Sequence, residues 1–408
     1  MKVLIIGQVW PEPTSSAAGS RMMQLIELFQ SENWEVHFAS ASVKGEASAA
    51  FSILGIQGHT IALNNSSFDA FAKALQPHIV MFDRFMAEEQ FGWRIAENCP
   101  DALRILDTED LHGLRKGREA ALKQNLPFTA EFLVNDYAKR EIASIYRCDL
   151  SLIISEVEMH YLTNFFHVSE ELLLYLPFMV EKLTETAINR WKTYKNRVDF
   201  MTIGNFRHEP NWDAVRYLKE TIWPKIKKEL PEAGLKIYGS YPSQKVTQLH
   251  NPKEGFLIMG KAENAFEVIG DSRVLLAPLK TGAGLKGKLL DAMQYGTPAV
   301  TTTIGAEGMH GNLPFNGEIT DDPDLFAKYA INLYNNAEKW QKAQKNGIHI
   351  INSCFLKEEW FPIARERFID ILSNLQKHRL HNFTGAMLQH QSLQATKFMS
   401  RWIEEKNK

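Results

Sequence analysis

The chain has 408 residues, 45% apolar and 23% charged, the proportions of an ordinary globular protein. That length suits two domains of ~100–200 residues and buries a large core without staples. Its 46 basic and 48 acidic side chains leave a formal charge of −2, which excludes the strongly basic footprint of a nucleic-acid binder.

KVLII near the N-terminus reads as a first buried strand, because it lacks the length and cleavage site of a leader. RMMQLIELFQSEN follows, and Met22, Leu25, Ile26 and Phe29 fall on one helical face. EVHFAS, HTIAL, HIVMF, LRILD and LSLII are the next strand candidates, and the last strand of this half ends at Pro177. Between them, residues 47–68 carry no Asp, Glu, Lys or Arg. Gln57, His59, Asn64 and Asn65 make that stretch too polar to span a membrane, and no transmembrane helix is expected elsewhere.

A polar segment from Glu181 to Arg197 separates the halves. The second half repeats the alternation, with strands VDFMTIG, LKIYG, FLIMG, RVLLAP and PAVTT between helical patterns such as DAVRYLKETIWPKIKKEL and DLFAKYAINLYNN. Continuous apolar strands alternating with amphipathic helices predict parallel sheets covered on both faces. The expected architecture is α/β, two Rossmann-like doubly wound domains facing a central cleft: residues 1–180, residues 181–372, and a helical tail over 373–408. In EEWFPIARERFIDILSNLQ, Phe361, Ala364, Phe368 and Leu372 have helical spacing; in the tail, Ala395, Met399 and Trp402 share a face. That tail is expected to pack back on the first domain. The competing reading puts Trp402, Phe398, Lys397 and Arg401 against a membrane surface or partner, with the mixed charge arguing against strong membrane binding.

Cys99, Cys148 and Cys354 are far apart and form no CxxC pair, so neither a disulfide framework nor a zinc site is expected. A reducing compartment follows.

The chemistry concentrates in KTGAGLKGK, residues 280–288, three glycines and three lysines between the strand RVLLAPL and the helix KLLDAMQYG. Glycines let backbone N–H groups approach an anion, a helix N-terminus adds donors and a positive dipole end, and Lys286 and Lys288 add charge. Asp291, five residues beyond Lys286, can accept hydrogen bonds from a ribose. Together these read as a nucleoside-diphosphate site. A glycine turn with solvated lysines is the alternative for any one such loop. Two more strand–loop–helix turns weaken it: one carries Gly204, Asn205, Arg207 and Asn211, the other Gly239 and Ser240.

GNFRHEPNWDAV, LKIYGSYPSQKV and LAPLKTGAGLKGKLLDAMQYGTPAVTTTIGAEGM resemble successive donor-site segments of the GT-B-fold retaining glycosyltransferases of the "glycosyl transferases group 1" family. The likeness is closest over Val198–Leu372 and looser in SSAAGSRMMQL, RILDTEDLHGLRKGREA and CDLSLIISEVEMHYL. It implies transfer of a sugar, with retention, from a UDP-, GDP- or similar donor held by the second domain. Of the family's two acids eight positions apart, the second is Asp291; the first is Ala283, which leaves sugar contacts to the backbone amides of Ala283, Gly284 and Leu285, with Gly282 completing the loop. Asn205 and Asn211 stand where an Arg and a Lys usually grip the diphosphate, so Lys286 is expected to supply the charge, aided by Arg207 or Lys280.

In the first domain, Glu109 takes the place of the family's His and Asp110 that of its acid, with His112 and Arg115 close behind. Asp110, Glu109 and His112 are therefore the implied catalytic candidates, and Gly19, Arg21 and Arg115 the acceptor-side ones. The alternatives are that Asp107, Glu109 and Asp110 cap the following helix and that Arg21 is solvated. His160 and His310 read as surface or core residues, and Glu307 as a loop cap. No metal site and no cofactor beyond the nucleotide sugar is expected. The implied acceptor is a carbohydrate or lipid-linked hydroxyl, with peripheral membrane contact left open, and the setting is cytoplasmic surface-polysaccharide or glycoconjugate synthesis. A nucleotide-sugar epimerase or hydrolase of the same fold, and a non-catalytic nucleotide-sugar binder, are the competing functions.

Overall fold

The computed structural model describes residues 1–45, 48–51 and 53–407, with only the backbone of residues 392 and 393. Ala47 and Ser52 of the uncharged stretch lie outside the described residues. The chain forms two units. One comprises Met1–Pro13, Ala18–Phe178 and Glu358–Lys408; the other comprises Thr14–Ala17 and Met179–Lys357.

The first unit holds β1 (Lys2–Gly7), β2 (Glu35–Ser40), β3 (Gln57–Thr60), β4 (Ile79–Asp83), β5 (Leu103–Asp107), β6 (Leu150–Ile153) and β7 (Leu173–Tyr175). They pair in the order β3-β2-β1-β4-β5-β6-β7, every pair parallel. β4 and β5 are buried along their whole length and β3 is largely exposed, as expected of central and edge strands. The strand order reverses between β1 and β4, and in doubly wound sheets ligands gather beyond the carboxyl ends of strands at such a point.

The second unit holds β8 (Val198–Ile203), β9 (Leu235–Tyr238), β10 (Phe256–Gly260), β11 (Ser272–Ala277), β12 (Ala299–Thr301) and β13 (Gly317–Ile319), again all parallel, in the order β10-β9-β8-β11-β12-β13. One core runs along this sheet: Phe200, Leu235, Ile237, Phe256, Val274, Leu276 and Val300 are buried with Leu218, Ile222, Trp223 and Phe326 from the helices.

Local departures have physical causes. HTIAL forms β3 two residues early, over Gln57–Thr60. The single helix expected over 213–230 is broken into Glu209–Tyr217, a π-turn at Leu218–Ile222 and Trp223–Glu229, where Pro224 lacks the N–H that an unbroken helix needs. β13 is three half-buried residues at a sheet edge, too short for an alternation to register. In the helix Lys357–Ser373, Ala364, Phe368 and Ile371 are the buried positions. Phe368 packs on Phe29 with ring centroids 5.9 Å apart and Arg365 pairs with Glu32 at 2.8 Å, so the chain joins the first unit at Glu358, earlier than residue 373.

The tail helix Phe383–Lys406 packs on the helices Arg84–Asn98 and Asp136–Arg147 of the same unit. The shared face of Ala395, Met399 and Trp402 does not make this contact: Met399 and Trp402 are 57% and 58% exposed, and Ala395 is exposed too. Small residues turn inward instead. Ser400 accepts a hydrogen bond from Arg94 Nη2 at 3.1 Å, and a Cβ on Gly385 would stand 2.1 Å from the Tyr146 carbonyl. Among the described residues no helix is long and apolar enough to cross a membrane.

Candidate functional site

In the second unit, three loops leave the carboxyl ends of β8, β9 and β11. The first two are locked together: Phe206 N–H donates to the Ser240 carbonyl (3.1 Å), Gly204 N–H to that of Tyr238 (3.2 Å), and a Cβ on Gly239 would stand 2.2 Å from the Gly204 carbonyl. Only glycine allows that approach. Asn211 stitches the first loop to the third. Its Nδ2 donates to the Asn205 carbonyl at 2.9 Å, and its Oδ1 accepts from Lys288 Nζ at 2.7 Å.

The third loop turns through Gly282 and Gly284, at φ 137° and 60°, into the helix Gly287–Gln294. Lys286 is the residue before its first turn and is 8% exposed. Its ammonium donates to the carbonyls of Gly284 (2.6 Å) and Ala283 (3.2 Å), so it is folded onto its own loop. Ala283 and Leu285 are buried. Lys288 enters the same loop one step later. Burial, reinforced by the charge of Lys286, pulls its pKa down to about 8. Asp291 lies farther along this helix, and burial pushes its carboxyl up to about 7. Lys280, expected to support the loop, stands against the 209–217 helix instead, its ammonium 3.5 Å from the centre of the Tyr217 ring. Arg207 is exposed and stacks on Tyr241, its Cζ 3.7 Å from the ring centre. The sequence pattern named Lys288 only as added charge; its isolation from carboxylates becomes visible once Asn211 is in place.

In the first unit, β4 and β5 end side by side at Asp83 and Asp107, which are in register. Two non-glycine residues beside them adopt left-handed backbone, Arg84 at φ 70° and Glu109 at φ 61°. Such conformations cost of order 1–3 kcal/mol and gather at working sites. Asp83 accepts from the Gln8 N–H at 3.1 Å, while Asp83 Oδ1, Asp107 Oδ2 and Glu109 Oε1 are buried without a hydrogen-bond partner. Burial first, then the nearby Asp107 charge, raises the Glu109 pKa well above the usual carboxylate range. Burial likewise raises that of Asp83, against the pull of Arg84. Asp110 pairs with Arg115 at 3.0 Å, and His112 Nδ1 lies 3.5 Å from Asp110 Oδ1 and 3.3 Å from Glu141 Oε1.

The acids of this loop do not cap the helix that follows. Glu141 accepts from the N–H groups of His112 (2.7 Å) and Gly113 (2.6 Å), and Glu158 from that of Leu111 (2.8 Å). Carboxylates from two later helices thus take the orphan donors. Arg21 is neither solvated nor open to an acceptor. It is fully buried, bonded to Asp107 through Nε and Nη2 (3.0 and 2.9 Å) and to the Leu176 and Pro177 carbonyls through Nη1. Gly19 is buried against Glu12, whose carbonyl would lie 2.4 Å from a Cβ there, so the glycine serves the packing of its own helix start. His160 is exposed, His310 bonds the Leu313 carbonyl, and Glu307 ends the short helix Thr303–Ala306. Among the described residues no group of three or more His, Cys, Asp or Glu is placed to hold a metal ion.

Residues 197–336 match the family model described as Glycosyl transferases group 1. That match lies within the second unit. The three loops beyond β8, β9 and β11 all fall inside the match. The chain is also 24% identical over 293 residues to an uncharacterized 44.6 kDa protein in the cps region of Klebsiella pneumoniae, covering 69% of this chain and 72% of that one. Among solved structures, Anabaena HepE in complex with UDP and glucose superposes with TM-score 0.66 at 12% identity, over 90% of this chain and 98% of that one. WaaG, a glycosyltransferase involved in lipopolysaccharide biosynthesis, superposes with TM-score 0.61 at 10% identity, over 89% and 98%. The two parallel-sheet units have the GT-B fold.

Proposed function

We propose that the protein transfers a sugar, as a hexosyl group with retained anomeric configuration, from a nucleoside-diphosphate sugar to a hydroxyl of a carbohydrate or lipid-linked acceptor. The observation that carries this is Lys288: a half-buried lysine whose ammonium donates to a neutral amide, whose charged neighbour is another lysine, and whose pKa is depressed to about 8. Such a cation is stabilised by an incoming anion, and loop amides with a helix N-terminus beside it suit a diphosphate. Asp291 accepts the ribose hydroxyls, and the amides of Ala283, Gly284 and Leu285 meet the donor sugar. No resident metal or other cofactor takes part. Asp110, held by Arg115, stabilises positive charge developing at the anomeric carbon, and Glu109 and His112 handle protons beside it. The work belongs to surface-polysaccharide or glycoconjugate synthesis in the cytoplasm. The WaaG and cps-region relatives support that setting, and UDP in HepE supports the class of donor.

A thermal-stability screen with UDP-, GDP- and ADP-sugars tests the reading. One nucleotide series should raise the melting temperature, and turnover should release the matching nucleoside diphosphate only when acceptor is glycosylated. No stabilisation by any of them would contradict it.

A further inference from the structure

Tyr241 lies just beyond β9, two residues after Gly239, and adopts left-handed backbone at φ 57°. A glycine would take that conformation without strain, yet a tyrosine occupies it. Its ring carries the Arg207 guanidinium, the Cζ 3.7 Å from the ring centre. An arginine stacked this way keeps its in-plane N–H donors open while its plane is fixed. The stack is tied to the cationic loop. Arg207 N–H donates to Asn205 Oδ1 (2.9 Å), the Asn205 carbonyl accepts from Asn211, and Asn211 accepts from Lys288. The locked pair of loops, joined through Phe206 and Ser240, fixes where the ring stands.

We propose that Tyr241 is a positioning residue for the donor: its ring holds Arg207 as a flat, pre-oriented clamp for the diphosphate beside Lys288. This rests on the diphosphate reading of the 282–288 loop and assigns the exposed arginine a role that loop alone does not give it. The strained backbone at Tyr241 is retained because it places the ring.

Calorimetric titration with UDP, GDP and ADP, using whichever the wild-type protein binds best, tests this. Tyr241→Phe should bind within about twofold of wild type. Tyr241→Gly should relieve the left-handed strain, keep or raise the melting temperature, and still weaken binding roughly two- to fivefold. Tyr241→Leu, which keeps bulk without a ring, should weaken it likewise. In an Arg207→Ala background, Tyr241→Gly should add nothing further. Wild-type affinity in Tyr241→Gly, or a full additional loss in the Arg207→Ala background, would overturn the role of Tyr241 and leave the donor site standing. A wild-type protein that binds none of the three probes would remove the function proposed above, and this clamp with it.

Discussion

The two units place charge at the carboxyl ends of the same kind of sheet, and they treat most of it differently. Beyond β4 and β5, three acids face arginines, Asp107 with Arg21, Asp83 with Arg84 and Asp110 with Arg115, and burial raises the pKa of Glu109 and, against Arg84, that of Asp83. Beyond β8 and β11, Lys288 rests on an amide and Asp291 has no cation drawing its pKa down, so both move toward neutrality, to about 8 and about 7. A paired cluster holds its own shape and orients what it touches. An unpaired one stores an electrostatic cost that only an external charge or hydroxyl group relieves.

The strongest break in that contrast lies in the paired cluster. Asp107→Ala would strand the fully buried Arg21 and should lower unfolding free energy by ~3–5 kcal/mol in denaturant titrations; a loss no larger than that of a surface pair would show that the pair is not structural. Asp110→Asn should leave folding and donor affinity nearly unchanged and lower turnover by roughly 100-fold or more. Equal losses in affinity and turnover would make Asp110 a scaffold residue. Smallest is a pH effect in the unpaired cluster. The Asp291 carboxyl is raised by burial, so its contribution to stability is complete below its unfolded value and is lost as pH rises toward and through about 7. Thermal melts of Asp291→Asn should therefore lack that part of the decline between pH 4 and 7, and a superimposable pH profile would contradict the burial of its charge.

The fold was largely legible because its central strands are continuous apolar runs: β1, β4, β5, β8 and β11 lie where KVLII, HIVMF, LRILD, VDFMTIG and RVLLAP predict them. The short edge strand β13 and the outward face of Trp402 were not. A three-residue strand carries no period, and a helical stripe does not say which of its sides meets the protein; here Gly385 and Ser400 decided that through close approach. In the site, the glycines, Lys286 and Asp291 could be read from spacing along one segment. The burial of Arg21, the capping by Glu141 and Glu158, and the Asn211–Lys288 bond join residues 28 to 156 positions apart, 77 in the last case, and depend on how strands lie side by side.

The central claim, that Lys288 awaits a diphosphate, is tested most directly by proton-linked calorimetry at pH 8. With its pKa at about 8 in the free protein, about half of Lys288 is deprotonated there, and a bound diphosphate should return the proton. Titrating the best-bound nucleoside diphosphate in buffers of different ionisation enthalpy should show net proton uptake approaching half a proton, and Lys288→Arg, charged at every pH used, should bind without it. Binding with no uptake by the wild-type protein, or with undiminished uptake by Lys288→Arg, would contradict the account.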